Sequence, residues 1–321
     1  MSHRVVAVLW VLAAVVVGLS LASVPVVAQA PPAAAKTTAV KPWTAPRTPD
    51  GQPDLQGMWL NFDSTPFERP ATEPRPGVEP TTPGQISGFA EDIATRSPRR
   101  RSLVVDPPDG KVPVMPWAEA KRDYDLAHLG DSWEHHGPWE RCITRSVPGG
   151  IFPTGYDSAY RILQTPGYVV ILYEMIHEAR VISVDGRPHV PQDIRLWNGD
   201  ARGRWEGQTL VVETTNYSDK GSIATNAATG RMKGIPQSEA LHVVERFTLV
   251  DANTIDYEVA IEDPKVYTRP WKVAMPLNRD ESYRMYEYSC HEGNENYMKS
   301  ALGGGRLEDK AAEEAAKNKE K

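Results

Sequence analysis

Four ionisable side chains crowd seven positions of this sequence: Glu174, His177, Glu178 and Arg180. A histidine with a carboxylate neighbour can serve as a general base. Two more carboxylates fall within apolar, strand-like segments. Glu245 shares its parity with Leu241, Val243, Phe247 and Leu249. Side chains alternate across a strand, so this apolar row faces the interior and carries Glu245 with it. An ionised carboxylate there must find a partner, shift its pKa or reach water in a cavity. Glu213 lies in Thr209–Thr215, where both parities are largely apolar and its facing is ambiguous. The candidate catalytic set is His177 as base, with Glu245 or Glu213 as acid or orienter. The bland alternative is a structural ion pair, with His177, Arg145 or Arg141 as the partner of Glu245.

Ligand-binding candidates surround that set. Read as one strand, Tyr168–Val184 turns Tyr173, Met175 and His177 to one face, and Glu174, Glu178 and Arg180 to the other. A strand therefore cannot present Glu174 and His177 to one ligand unless it bends between them. Tyr283–Glu292 adds three tyrosines, with Glu287, Tyr288 and His291 as possible pocket-wall residues. Tyr173, Glu174, Arg180, Arg145, Tyr288, Glu287 and His291 make up the candidate binding set. His135 and His136, beside Trp133 and Trp139, read as a solvated loop; the alternative is a pair that binds a metal or stacks on a ligand.

Cofactor signatures do not appear. The sequence has no G-x-G-x-x-G, no phosphate-binding P-loop, no G-x-S-x-G elbow and no H-E-x-x-H. The pattern from His291 to Glu295 contains Gly293, which argues against the helix that would gather metal ligands. No cofactor and no metal site are expected. With 36 Lys+Arg against 42 Asp+Glu, the formal net charge is -6, and no dense basic face marks a nucleic-acid binder. The expected partner is a small molecule.

The elements that would position these residues are β-strands. From Tyr160 onward, short β-branched and aromatic runs alternate with turns: 160–165, 168–184, 194–197, 209–215, 241–250, 254–262, 271–275 and 283–289. The run 168–184 is too long for one average strand and should bend near Glu178. With no helical pattern between runs, the expected fold class is mainly β, an antiparallel meander curling into a barrel-like or sandwich core. Of 28 prolines, 20 fall between Pro31 and Pro153. Residues 63–116 therefore read as a proline-rich wrap over the sheet, covering the second face of the long central run. Helices should be few. Trp117–Leu129 is the best candidate, with Trp117, Ala120, Tyr124 and Ala127 at spacings of three and four.

The ends bear on location. Val5–Ala22 is uncharged and apolar after Arg4, and small residues follow. That order is an export signal, taken as residues 1–30, or an uncleaved membrane anchor. Residues 31–46 read as a flexible tether, 47–300 as one β-rich domain and 301–321 as a charged tail, either an exposed helix or a frayed end. The expected location is exported, periplasmic or extracellular, with membrane contact only if the first segment is retained. Export permits a disulfide, and Cys142 and Cys290 are the only two cysteines. Two separate buried thiols remain the alternative.

Segments 47–59, 140–145, 165–182, 203–216 and 286–294 together resemble a family of exported bacterial proteins of unknown function. That resemblance implies a shared fold and no established activity. Gly57–Trp59 and Arg204–Leu210 also look like strand openings of lipocalin-like (calycin) barrels, which implies a cup holding an apolar small molecule. The leading expectation is thus an exported β-barrel-like protein with an interior pocket for a partly apolar ligand. The alternatives are a cofactor-free hydrolase, lyase or isomerase using a His/Glu pair in that pocket, and a structural envelope protein.

Overall fold

A computed structural model of the chain describes residues 43–61, 65–70, 101–154, 158–223, 232 and 234–319. The expected export signal, most of the tether and residues 71–100 of the proline-rich wrap lie outside these.

The strands are β1 (Gly57–Leu60), β2 (Val104–Asp106), β3 (Ala159–Thr165), β4 (Tyr168–Tyr173), β5 (Ala179–Ser183) and β6 (Asp200–Glu206). They continue with β7 (Thr209–Thr215), β8 (Ser222–Ile223), β9 (Ile235–Pro236), β10 (His242–Asp251), β11 (Thr254–Glu262) and β12 (Trp271–Arg279). Nine of them close a barrel in the order β1-β3-β4-β5-β6-β7-β10-β11-β12, with β12 returning to β1. β2 adds to β12 on the outside of the cycle, and β8 pairs only with β9. Among the described residues two α-helices accompany them, α1 (Pro116–Ala127) and α2 (Asn294–Lys319).

The barrel, one of the two expected architectures, is mixed rather than wholly antiparallel. β5 and β6 run parallel and share a single register pair, Ser183 with Arg202. This seam holds together by side-chain contact. A Cβ at Gly203 would meet Val184 Cγ1 at 2.7 Å and Ile182 Cγ2 at 3.0 Å, so glycine lets β6 approach the end of β5. The opposite closure is also built around a glycine. Gly57 has φ +133°, and a Cβ there would collide with the Arg279 guanidinium. That guanidinium lies 4.3 Å from the Trp59 ring centroid and donates to the Gln56 carbonyl at 2.6 Å. It clamps β12 onto β1.

The expected inward row of β10 is the observed one. Val243, Glu245, Phe247 and Leu249 face Ile255, Tyr257, Val259 and Ile261 of β11, and all are buried. Trp59, Tyr160, Ile162, Val169, Ile171, Ile182, Leu210, Val212, Trp271, Val273 and Met275 belong to the same core. Rings fill it, Tyr160 edge-on to Tyr173 at 5.7 Å and Phe247 tilted against Tyr257 at 4.9 Å. Phe67, Ile151 and Phe152 close over it: Phe67 meets Phe152 at 5.0 Å and Trp271 at 6.2 Å, and Tyr160 donates to the Ile151 carbonyl. The barrel centre is therefore packed with side chains, which corrects the expected interior pocket.

Other expectations are corrected by where backbone groups are satisfied. The run 168–184 does break, at a 3-10 turn over Met175–His177 between β4 and β5. Its outer face is not covered as expected, since Val181 is 58 % exposed. Residues 194–197 form no strand, whereas the charged segment Asp200–Glu206 does, because its inward positions are Ala201, Gly203 and Trp205. Residues 283–289 also form no strand. Their groups go to a carboxylate, as described below. α1 forms where expected, but Trp117, Ala120, Tyr124 and Ala127 face solvent and its buried positions are Ala118 and Arg122. The expected tail is helical from Asn294, six residues before its assumed boundary at 300.

Candidate functional site

The inward carboxylate has a partner, but not one of those expected. Arg180 of β5 reaches across the small Ala201 on β6 to Thr214 of β7 and Glu245 of β10. Its Nη2 donates to Glu245 Oε2 at 2.5 Å and to Thr214 Oγ1 at 3.0 Å, and the Tyr257 hydroxyl donates to Glu245 Oε1 at 3.0 Å. Glu245 is 0 % and Arg180 5 % exposed. Burial, the largest single influence, lowers the Arg180 pKa, but the adjoining Glu245 carboxylate and tyrosines more than reverse it and raise it. Burial also pushes the Tyr173 hydroxyl up to about 12. The network spans the parallel seam and ties β5 to β7 and β10, a structural brace.

His177 does not join it. The turn at 175–177 reverses the parity that a continuous strand would have given, so His177 is exposed and its Nδ1–H donates to the Tyr288 carbonyl at 2.8 Å. Glu213 stands on the outer face of the barrel, paired with His242 Nε2 at 2.8 Å. His177, Glu245 and Glu213 thus occupy three separate places and do not converge on one substrate. Glu174 is buried at the hairpin between β4 and β5. It accepts from the Tyr283 hydroxyl at 2.9 Å and from the Tyr286 N–H at 2.8 Å, which anchors the segment 283–289 to the barrel. Arg145 is buried, donates to the Phe152 carbonyl and stacks on Trp139 at 4.9 Å. Glu287 and His291 are exposed. Of the expected set, Tyr173, Arg180 and Glu245 come together inside the barrel, and His177 meets the Tyr288 carbonyl outside it.

The two cysteines do join, with Cα atoms 5.6 Å apart across a separation of 148 residues. Beside this disulfide, outside the barrel strands, opens a cleft of about 940 Å³. Its walls are Arg122, Asp125 and Leu126 of α1, the loop 133–141, Trp197, the β8–β9 region, and Tyr288 to Tyr297. The loop is locally determined. Ser132 caps a 3-10 turn over Trp133–His135 by accepting from the Glu134 N–H. A second tight turn follows, with Ile143 N–H donating to Pro138 O and the Glu140 carboxylate accepting from the Gly137 N–H. Cys142 leaves this turn with φ +56°.

The turns set three indoles and one guanidinium around the cleft. Arg141 lies 5.1 Å from the Trp133 ring centroid and 6.0 Å from that of Trp197. Burial, against the nearby Glu134 charge, lowers the Arg141 pKa. Its Nε is buried without a hydrogen bond among the described residues. At the rim, His135 Nδ1 pairs with Asp125 Oδ1 at 2.9 Å, while Lys121 holds Asp125 Oδ2 at 2.6 Å. His136 is buried, donates from Nε2 to the Leu129 carbonyl at 2.8 Å and meets the Tyr297 ring edge-on at 5.9 Å. No group of three or more His, Cys, Asp or Glu among the described residues could hold a metal ion.

Sequence reasoning marked Trp133, His135, His136 and Trp139 but preferred a solvated loop. It missed Arg141 as a site residue, as well as Asp125 and Trp197. The available signal was the run of Trp133, His135, His136, Trp139 and Arg141 within nine positions. Comparison with protein-family models, curated proteins and solved structures finds nothing that matches the chain.

Proposed function

We propose that this protein is exported and binds a small, partly apolar molecule in the cleft beside the Cys142–Cys290 disulfide, not in the barrel centre. The observation that carries the reading is the cleft itself: about 940 Å³, walled by Trp133, Trp139 and Trp197, with Arg141 set between two of the rings. Concave sites with aromatic walls and a few convergent polar groups are where small ligands bind. The disulfide suits an oxidising compartment, as does the apolar segment Val5–Ala22 after Arg4.

A thermal-shift screen of aromatic and alicyclic small molecules tests this. Compounds that raise the Tm of the wild type should lose that effect in Trp133→Ala and Trp197→Ala. Equal stabilisation of wild type and both variants would contradict a site in this cleft.

One observation favours a second reading, an enzyme. The Asp125–His135 pair holds an imidazole at the cleft rim by one nitrogen, as an orienting carboxylate holds a general base. In that reading His135 takes the role once expected of His177. His135→Asn would then abolish turnover of a chromogenic ester panel while ligand binding persists.

A further inference from the structure

We infer that the molecule bound in the cleft carries a carboxylate, and that Arg141 is its anchor. This rests on the proposed cleft and specifies the chemistry of its occupant.

Trp133 and Trp197 hold the Arg141 guanidinium by cation–π contact at 5.1 and 6.0 Å. Its edge is a planar fork of N–H donors that matches a carboxylate. No described residue fills that role. The Arg141 side chain makes no hydrogen bond or ion pair among the described residues, its backbone N–H goes to the Gly137 carbonyl, and its Nε is buried and unanswered. Two other cations of the cleft are engaged, Lys121 with Asp125 at 2.6 Å and Arg122 with Asp123 at 2.8 Å, while Lys220 at its rim is exposed to solvent. Glu134 acts on Arg141 through its charge alone. A partly desolvated guanidinium with no bonded counter-ion gains when an anion arrives.

The charge of that anion is limited by the walls. Asp125, Glu134, Glu140, Asp219 and Glu292 all line the cleft. A phosphate dianion would meet their summed repulsion, whereas a carboxylate brings one charge and a flat shape. The indole walls take the rest of the molecule, an apolar ring system.

The experiment is calorimetric titration of the full chain with 2-naphthoate, 2-naphthamide and 2-naphthyl phosphate. These share one apolar body and differ in the group offered to Arg141. Wild type should bind 2-naphthoate at least tenfold more tightly than 2-naphthamide, and more tightly than the phosphate. In Arg141→Gln that preference should fall to within twofold. Equal affinity of wild type for acid and amide overturns the carboxylate anchor while leaving the cleft as an apolar site. A preference that survives in Arg141→Gln overturns Arg141 as the anchor. Failure of all three to bind overturns the cleft reading itself. The wild-type comparison decides the matter even if Arg141→Gln does not fold, and Arg141→Lys, which keeps charge without the fork, should lose most of the preference.

Discussion

At the scale of single residues, Glu245 shows how a functional pattern and a structural one look alike in sequence. Its inward parity was legible from β10 alone. Its partner was not, because Arg180 lies 65 positions away on a strand whose neighbour, β6, does not read as a strand. Removing one member of a buried pair leaves an uncompensated charge. Glu245→Leu should therefore cost roughly 3–5 kcal/mol in urea denaturation, and Arg180→Met with Glu245→Leu should recover most of it. Neither change should alter binding in the cleft. A mild single-variant effect, below ~1 kcal/mol, would deny the brace across the seam.

Glu178 titrates with the opposite lesson. Burial raises its pKa above the ordinary 4.5, against the lowering effects of Thr144, Asn198 and Arg180. The Thr144 hydroxyl lies 2.8 Å from both Glu178 Oε2 and Asn198 Oδ1, and its one proton cannot serve both. The hydrogen bonds therefore offset the burial of this carboxyl only in part. The native state thus binds this proton more tightly than the unfolded chain. Its contribution is complete below the ordinary carboxylate pKa and is lost as pH rises through the raised native value. Relative to Glu178→Gln, wild type should lose thermal stability as pH increases across that window. A gain over the same window would refute the sign.

At the scale of elements, the disulfide and the hairpin at 174–178 together hold the cleft wall. Glu174 grips Tyr283 and Tyr286, and Cys290 is tied to Cys142. Cross-linking residues 148 apart constrains the unfolded chain, and replacing both cysteines by serine should cost up to roughly 5 kcal/mol. The variant should also bind cleft ligands more weakly, because the segment from Tyr288 to Tyr297 loses its tether. Retained affinity, measured by the same titration at a temperature where the variant is folded, would show that this segment is not a wall. Element existence was largely readable: β10 and β11 follow period-two apolarity, β3, β4 and β7 are short β-branched and aromatic runs, and α1 follows its spacing. The misreadings share a cause. In 283–289 a buried carboxylate takes backbone and hydroxyl donors that a ladder would have used. In α1, Arg122 and Ala118 face inward and leave the aromatics to solvent, next to the cleft. A periodicity marks a helix but does not say which neighbour it meets.

At the scale of the whole molecule, the barrel is a packed body and the open site lies beside it. Closure by Arg279 over Gly57, the single-pair seam and the inner ion pair account for the interior without a ligand. The cleft was only faintly legible because its walls come from α1, a turn, Trp197 and the segment after β12, which no local pattern joins. Indole N–H resonances distinguish the two places in one spectrum. On titration with 2-naphthoate, the signals of Trp133, Trp139 and Trp197 should move, and those of Trp59, Trp205 and Trp271 inside the barrel should stay fixed. Movement of the interior set with a silent cleft set would contradict the account.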